Sequence, residues 1–288
     1  MTRLNEIEAH TASMGELLEI VSAMRSLASM RVQEAHRAVP GVRRYAETMA
    51  AAIATALLLA PDTGAVRTRA GRRAIVLCTA EHGFVGGFNE RLLEKAESLV
   101  LAGDLLFVLG SRGVALMRER GRQVAWADPM PTRPGAAPET VRRLAAELFR
   151  TLAGGDVARV ETVFARHRVG AALTIEQRLL FPVDLAALAA SRSQMPPLHS
   201  LPPATLLERL IADYVFALLI EAAIESIASE NAARFAAMEA AHDNVAKKLE
   251  QLRRDGRLAR QDEITTELID LVTGAEALQG IGSSPAKR

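Results

Sequence analysis

The chain has 288 residues, of which 49% are hydrophobic and 24% are charged. This is enough apolar material for a sizeable core, and it excludes an intrinsically disordered chain. Aromatic residues make up only 4%, and 35 basic residues balance 34 acidic ones. The composition therefore argues against a protein that stacks on bases or is drawn to nucleic acid by its net charge.

The single cysteine, Cys78, excludes an internal disulfide and any zinc site built from several cysteines. The six histidines show no metal-ligand spacing. The longest apolar run, residues 50–60, is about half of the roughly 20 residues that a membrane helix needs, and the N-terminus lacks the apolar stretch of a signal peptide. We therefore expect a soluble, cytoplasmic protein with no membrane anchor of its own, no metal and no cofactor.

Residues 1–60 are predicted to form one long helix. Apolar positions follow alternating steps of three and four residues along a single stripe, a 3.5-residue period that keeps the stripe facing a partner helix. The stripe consists of Leu4, Ile7, Thr11, Met14, Leu18, Val21, Arg25 and Ala28.

Residues 72–200 have a different texture, in which short apolar runs alternate with amphipathic segments. Strands are predicted at 74–80, 104–110, 124–128, 157–166 and 171–181, and helices at 89–102, 112–120 and 138–153. This alternation predicts an α/β body, Rossmann-like, with a mostly parallel sheet covered by helices.

Residues 205–279 are predicted to form a second long helix, followed by a disordered tail over 280–288. Thr205 and Glu208 can cap its start, and Gly274 suits a break near its end. The 4-3 rhythm continues from Leu210 to Ala259 and includes Phe235. Its polar or helix-weakening exceptions are Glu221, Asn231, His242 and Gly256.

These lengths indicate a shaft. Helices over 4–59 and 206–279 would be about 85 Å and about 110 Å long, far more than a compact domain spans. We therefore predict that the two terminal helices pair as a long antiparallel coiled coil beside the α/β body.

The turn after the first predicted strand is rich in glycine, with Gly83, Gly86 and Gly87. Such a turn before a helix can bind phosphate, but the spacing matches neither the dinucleotide fingerprint nor a Walker loop. A structural turn that needs positive φ is favoured. The basic run 247–260 is interrupted by acids and favours a solvated face or a protein contact over nucleic acid. With no nucleophile–base pair or carboxylate pair in view, we expect no catalytic residues.

Several strings resemble the γ subunit, the central rotor shaft, of rotary F-type ATP synthases. Residues 22–28 resemble K-A-M-x-M-V-A and residues 43–49 resemble R-P-Y-A-E-T-M. Residues 79–89 resemble S-D-R-G-L-C-G-G-L-N, with His82 and Val85 in place of the arginine and cysteine. The most specific strings are 229–238, which resembles S-E-x-A-A-R-M-x-A-M, 259–268, which resembles A-R-Q-x-x-I-T-x-E-L, and 273–275, which resembles S-G-A.

The resemblance implies a non-catalytic rotor subunit that transmits torque between ion flow through the membrane c-ring and the catalytic ring of α and β subunits. It also implies an ε subunit as partner and a peripheral position on the cytoplasmic face of the plasma membrane, with membrane association only through partners. Torque and coupling contacts would involve Met24, Arg25, Glu230, Arg234, Arg260, Gln261 and Thr265. Exposed arginines that would meet an acidic ring surface are Arg25, Arg253, Arg254 and Arg260.

Two alternatives stay open from the residues alone. One is a nucleotide-binding α/β enzyme with helical extensions, which would bind phosphate at the glycine-rich turn. The other is a homodimeric coiled-coil scaffold.

Overall fold

The computed structural model describes residues 3–59, 71–168, 170, 173–189 and 197–281. They form two compact units. Unit 1 consists of the described residues up to Arg25 and those from Met238 onward, and unit 2 is Ser26–Ala237. Of the tail predicted over 280–288, residues 282–288 lie outside the described residues, as do positions 171 and 172 of the last predicted strand.

The described residues contain six α-helices and five strands. In chain order they are α1 (Arg3–Ala56), β1 (Arg72–Cys78), α2 (Phe88–Glu97), β2 (Leu105–Leu109), α3 (Ser111–Glu119), β3 (Trp126–Asp128), α4 (Ala137–Ala153), β4 (Val157–Arg166), β5 (Thr174–Phe181), α5 (Leu185–Ala189) and α6 (Pro203–Ile281). Both α1 and α6 contribute residues to each unit.

Unit 2 is built on a five-stranded sheet with the order β3-β2-β1-β4-β5. Neighbouring strands are parallel except for β5, which runs antiparallel to β4. The predicted fold class, a mostly parallel sheet with helices and two long terminal helices, is confirmed.

Each central strand feeds two hydrophobic cores because successive side chains point to opposite faces of the sheet. In β1, Ala74, Val76 and Cys78 belong to one core, and Ile75 and Leu77 belong to the other. The first core also takes residues from α1, α4 and α6, and the second is covered by α2 and α3. Helices therefore cover both faces, which explains why the strands read as continuous apolar runs.

Unit 1 is a pair of antiparallel helices. The side chain of Arg25 meets Glu239 at one end, and Glu8 meets Arg260 at the other, so the two helices run in opposite directions. Val21, Leu249 and Leu252 are buried between them. Within unit 1 the predicted stripe from Leu4 to Arg25 is buried or half-buried, whereas most positions beside it are exposed.

Towards its C-terminal end the described part of α6 becomes exposed on all sides. Side chains from 264 to 275 are all exposed. Six large apolar residues over 258–272, which we call the apolar end, are 51–70% exposed: Leu258, Ile264, Leu268, Ile269, Leu271 and Val272.

Three local predictions about helix boundaries are wrong. The second predicted helix overshoots, because α2 ends at Glu97, after which the chain turns towards β2. Helix α6 begins at Pro203, where the Leu206 amide donates to the Pro202 carbonyl, so Thr205 is not its cap. It also continues past Gly274 to Ile281.

Candidate functional site: ion pairs along the terminal helices

Arg234 on α6 connects that helix to the glycine-rich turn within unit 2. Arg234 as a whole is 8% exposed. Its Nη2 lies 2.6 Å from Glu230 Oε1 and donates to the carbonyl oxygens of His82 and Gly83, both at 3.3 Å. Its Nη1 donates to Asn231 Oδ1 at 3.1 Å. Two sequence-predicted residues of α6 and one of the turn therefore lie in one contact.

Glu230 is the buried acid of this contact, with 5% of its surface exposed. Burial raises the pKa of its carboxyl group, and the charge of Arg234, together with hydrogen bonds from Arg234 and from the Glu81 backbone, opposes that effect without cancelling it. Arg234 therefore offsets part of the cost of placing a carboxylate in the core.

The stripe prediction is wrong at this level of α6. The 4-3 rhythm places Phe235 inside, but Phe235 is 38% exposed and its neighbour Arg234 is buried. Here α6 faces the carbonyl oxygens of a turn rather than an apolar helix, and those acceptors need a donor.

The glycine-rich turn itself has two residues with positive φ, Gly86 at 55° and Phe84 at 61°. Phe84 is 70% exposed. Gly87 has a φ of −81° and precedes α2. At Gly83 a side chain would be crowded, because a Cβ there would lie 3.0 Å from Nη2 of Arg112.

Glu81, just before this turn, occupies the N-terminus of α3. Its carboxylate accepts hydrogen bonds from the Ser111 amide at 3.1 Å, the Ser111 hydroxyl at 2.6 Å and the Met130 amide at 2.8 Å. Burial raises the pKa of Glu81, but these hydrogen bonds outweigh it and leave the pKa lowered. A phosphate at the N-terminus of α3 would therefore meet a carboxylate that already accepts from the Ser111 amide.

A second ionic cluster in unit 2 joins α1, β4, β5 and α6. Glu221 accepts from Arg43 at 2.8 Å and from Arg178 at 2.6 Å, and Glu225 accepts from Arg43 at 2.5 Å. Arg166 lies 3.3 Å from both glutamates. Burial raises the pKa of Glu221, but hydrogen bonds from Arg178 and Arg43 lower it overall.

Sequence reasoning missed this cluster. Its one signal was Glu221, a polar exception in the apolar stripe of α6. The arginines on β4 and β5 carry no local pattern that would place them beside α6, because their proximity depends on the strand order.

In unit 1 the expected contact arginines have partners within the chain. Arg25 Nη1 lies 3.2 Å from Glu239 Oε2, and Arg260 Nη2 lies 2.5 Å from Glu8 Oε1. Arg254 pairs with Glu250 one turn before it on α6. All of these side chains are at least 31% exposed.

The other expected contact residues of unit 1 lie close to these pairs along the helices. Met24 is half-buried beside Arg25. Gln261 and Thr265 are exposed, and the Thr265 hydroxyl donates to the Gln261 carbonyl at 2.8 Å. Arg253 is exposed, without an ion-pair partner among the described residues.

Within the described residues, no helix combines the length and apolarity needed to cross a membrane.

Comparison with known proteins gives a consistent result over nearly the whole chain. A family model described as ATP synthase matches residues 3–278. The ATP synthase gamma chain of Chlorobaculum tepidum is 26% identical over 297 residues, covering 97% of this chain and 100% of that one. The ATP synthase gamma chain of Frankia casuarinae is 28% identical over 302 residues, covering 96% and 98%.

Solved structures share the fold. A chain of the Euglena gracilis mitochondrial ATP synthase, in a structure of OSCP, F1 and c-ring, superposes with a TM-score of 0.67 at 13% identity, covering 99% of this chain and 97% of that one. A chain of the Tetrahymena thermophila mitochondrial ATP synthase central stalk and c-ring gives 0.57 at 15%, covering 77% and 99%. Because the family model spans almost all of the sequence, this chain belongs to the ATP synthase family, as a relative of its gamma chains.

Proposed function

We propose that this chain is the central-stalk rotor subunit of an F-type ATP synthase. It transmits torque between ion flow through the membrane c-ring and the catalytic α/β ring, in ATP synthesis or hydrolysis, and it has no active site of its own. The observation that carries the proposal is the family match over residues 3–278, together with the antiparallel helix pair of unit 1.

The proposed partners are the α and β subunits, the ε subunit and the c-ring. Two similar structures support part of this set, since one is of OSCP, F1 and c-ring and the other is of a central stalk and c-ring. The proposed location is the cytoplasmic face of the plasma membrane, where the chain is held through its partners.

We assign the contacts with the catalytic ring to Met24, Arg25, Arg260, Gln261 and Thr265. During rotation each contact must break as readily as it forms, so each contact should be weak. Exposed ion pairs are worth about 0–1 kcal/mol.

The structure suggests how such contacts can stay weak. Arg25 and Arg260 already pair with Glu239 and Glu8. When either arginine meets an acidic side chain of the ring, it exchanges one exposed carboxylate partner for another. Little free energy is therefore gained or lost at each rotational position.

We assign a different role to Glu230 and Arg234. Their contact fixes α6 to the carbonyl oxygens of the turn at residues 82 and 83. Removing one partner from a buried ion pair costs about 3–5 kcal/mol. We therefore expect this contact to stay intact while force passes from α6 into the sheet of unit 2.

The test uses charge reversal and charge swapping in the reconstituted complex. Arg25→Glu and Arg260→Glu should lower ATP-driven ion pumping more than ATP hydrolysis, with normal assembly. The swaps Arg25→Glu with Glu239→Arg, and Arg260→Glu with Glu8→Arg, restore the pairs within the chain. They should not restore pumping if the arginines act on the ring.

Recovery of pumping in the swaps would assign these arginines to internal stability alone, and unchanged pumping in the single variants would remove them from the mechanism. The function itself fails if the chain does not co-purify with α and β subunits in a ratio of three to three to one. A thermal-shift titration of the chain with ATP and NAD tests the enzyme alternative, because a real nucleotide site stabilises the fold.

A further inference from the structure

A groove of about 470 Å³ lies between α1 and α6 within unit 1. Its volume is in the range of small-molecule sites, which are concave and mostly apolar and measure about 300–1,000 Å³. The apolar residues that line it are Ile7, Ala12, Leu252 and Gly256. Thr11 lines it as well, but the Thr11 hydroxyl donates to the Ile7 carbonyl of its own helix at 2.7 Å. The groove therefore presents apolar surface, and the hydroxyl group in it is already hydrogen-bonded.

Gly256 leaves space in this groove. Glycine is, after proline, the least favourable residue in a helix interior. Close packing does not require it at this position, because a Cβ on Gly256 would make an ordinary contact with Cγ2 of Ile7 at 3.4 Å. A larger side chain would extend into the groove. Residues that break a local rule of helix formation without a packing reason are expected at functional sites.

Three arginines of α6 line the same groove. Arg253, Arg257 and Arg260 follow at intervals of four and three residues, which places them on one face of the helix. Arg260 pairs with Glu8, the one carboxylate among the lining residues. Arg253 and Arg257 are exposed and have no ion-pair partner among the described residues. Three arginines against one glutamate leave two positive charges on the lining.

We propose that this groove binds the anion of a medium-chain fatty acid, with its alkyl chain along the apolar residues and its carboxylate at Arg253 and Arg257. A guanidinium group matches the geometry of a carboxylate, and an alkyl chain gains free energy in proportion to the apolar area removed from water. On α6 the lining extends from Leu252 to Arg260, about 12 Å of helix, which suits an extended chain. The site belongs to unit 1 alone and does not depend on the rotor assignment.

The experiment is isothermal titration of the full chain with sodium decanoate below the concentration at which it forms micelles. Two probes accompany it: sodium acetate, which lacks the alkyl chain, and decyltrimethylammonium bromide, which carries an alkyl chain of the same length on a cation. Decanoate should bind at a single site. Acetate should give no heat, because an exposed ion pair alone is weak. The cation should bind about tenfold more weakly than decanoate or worse, because it meets like charges.

Charge reversal tests the two unpaired arginines. Arg253→Glu with Arg257→Glu should abolish the binding of decanoate and allow decyltrimethylammonium to bind instead. The matched control is Lys247→Glu with Lys248→Glu. It makes the same change of net charge on the same helix, at exposed positions that do not line the groove, and should leave decanoate binding unchanged.

Filling the groove tests its apolar part. Gly256→Leu should abolish decanoate binding, whereas Gly15→Leu on α1, where a Cβ meets nothing within 4 Å, should not. Circular dichroism checks that both variants fold, and the charge-reversal pair decides the question if Gly256→Leu does not.

Three results would overturn the proposal: decanoate and the cation bind alike, the arginine and lysine double variants bind decanoate alike, or a folded Gly256→Leu still binds it. Light scattering adds a fourth. A chain that is dimeric before the titration and monomeric after it would assign the groove to a second copy of the chain instead.

Discussion

Truncation of Arg234 gives the sharpest test of the contact between α6 and the glycine-rich turn. Arg234→Ala leaves the Glu230 carboxylate 5% exposed and without its cation, and it removes the donor to the carbonyl oxygens of His82 and Gly83. Removing one partner of a buried pair costs about 3–5 kcal/mol. We therefore expect the free energy of unfolding of unit 2 to fall by about that amount.

The matched double variant separates charge from packing. Arg234→Met with Glu230→Gln removes both charges and keeps side chains of similar size, so only the hydrogen bonds of Arg234 to the turn and to Asn231 are lost. At about 1 kcal/mol for each bond, the expected loss is about 2–3 kcal/mol, smaller than in the single variant.

Urea unfolding can be followed by the fluorescence of Trp126, the single tryptophan, which lies on β3 within unit 2. Burial raises the pKa of Glu230 and Arg234 opposes it, so Arg234→Ala should raise that pKa further. The folded variant then holds its proton more tightly than the unfolded chain. Its deficit should therefore shrink as the pH falls towards the ordinary carboxyl value of 4.5.

Two results would refute this reasoning. One is a loss below about 1 kcal/mol for Arg234→Ala. The other is a double variant that is no more stable than the single one, because then the uncompensated charge of Glu230 is not the source of the cost.

Three further predictions concern single positions. Gly256→Ala should stabilise unit 1 by about 0.5–1 kcal/mol, since alanine favours the helix and its Cβ would lie 3.4 Å from Cγ2 of Ile7, an ordinary contact. Thermal melting with Gly15→Ala as control checks this, and a lower melting temperature for Gly256→Ala alone would show that the helices cannot accommodate the methyl group. Glu81, whose pKa is lowered by hydrogen bonds despite burial, contributes stability above its ordinary pKa and loses it as the pH falls through the folded value. Glu81→Gln should therefore flatten the acid limb of a plot of unfolding free energy against pH, and an unchanged slope would contradict this. Burial raises the pKa of Cys78 to about 12, so iodoacetamide should modify it only in urea; rapid modification of the native chain would show that the sheet opens there.

The sequence predicted the sheet well because burial on both faces makes its strands conspicuous. β4 was predicted at its observed bounds, Val157–Arg166, and the start of the fourth helix within one residue. Helix ends were harder. Arg73 on β1 donates to the Leu99 carbonyl and to Asp104, and these contacts hold the chain in a turn after α2 that local propensity does not reveal.

The ionic contacts show where sequence periodicity stops being informative. An apolar stripe predicts which positions of α6 are buried and which are exposed, but it does not predict whether the surface that α6 packs against is apolar or polar. Phe235 was placed inside and Arg234 was not, because the polar surface that α6 meets there belongs to a loop about 150 residues earlier in the chain. Glu221 looked like an exception to the pattern and is the centre of the cluster with Arg43 and Arg178.

The apolar end of α6 has a consequence for the cellular abundance of this protein. Large aliphatic side chains over 258–272 are 51–70% exposed in the isolated chain, and apolar surface of this kind attracts chaperones and proteases. We therefore expect a copy made in excess of its partners to be degraded, and a copy whose apolar end is enclosed by partners to be spared. Degradation of unassembled copies would then keep the abundance of the subunit close to that of its assembly.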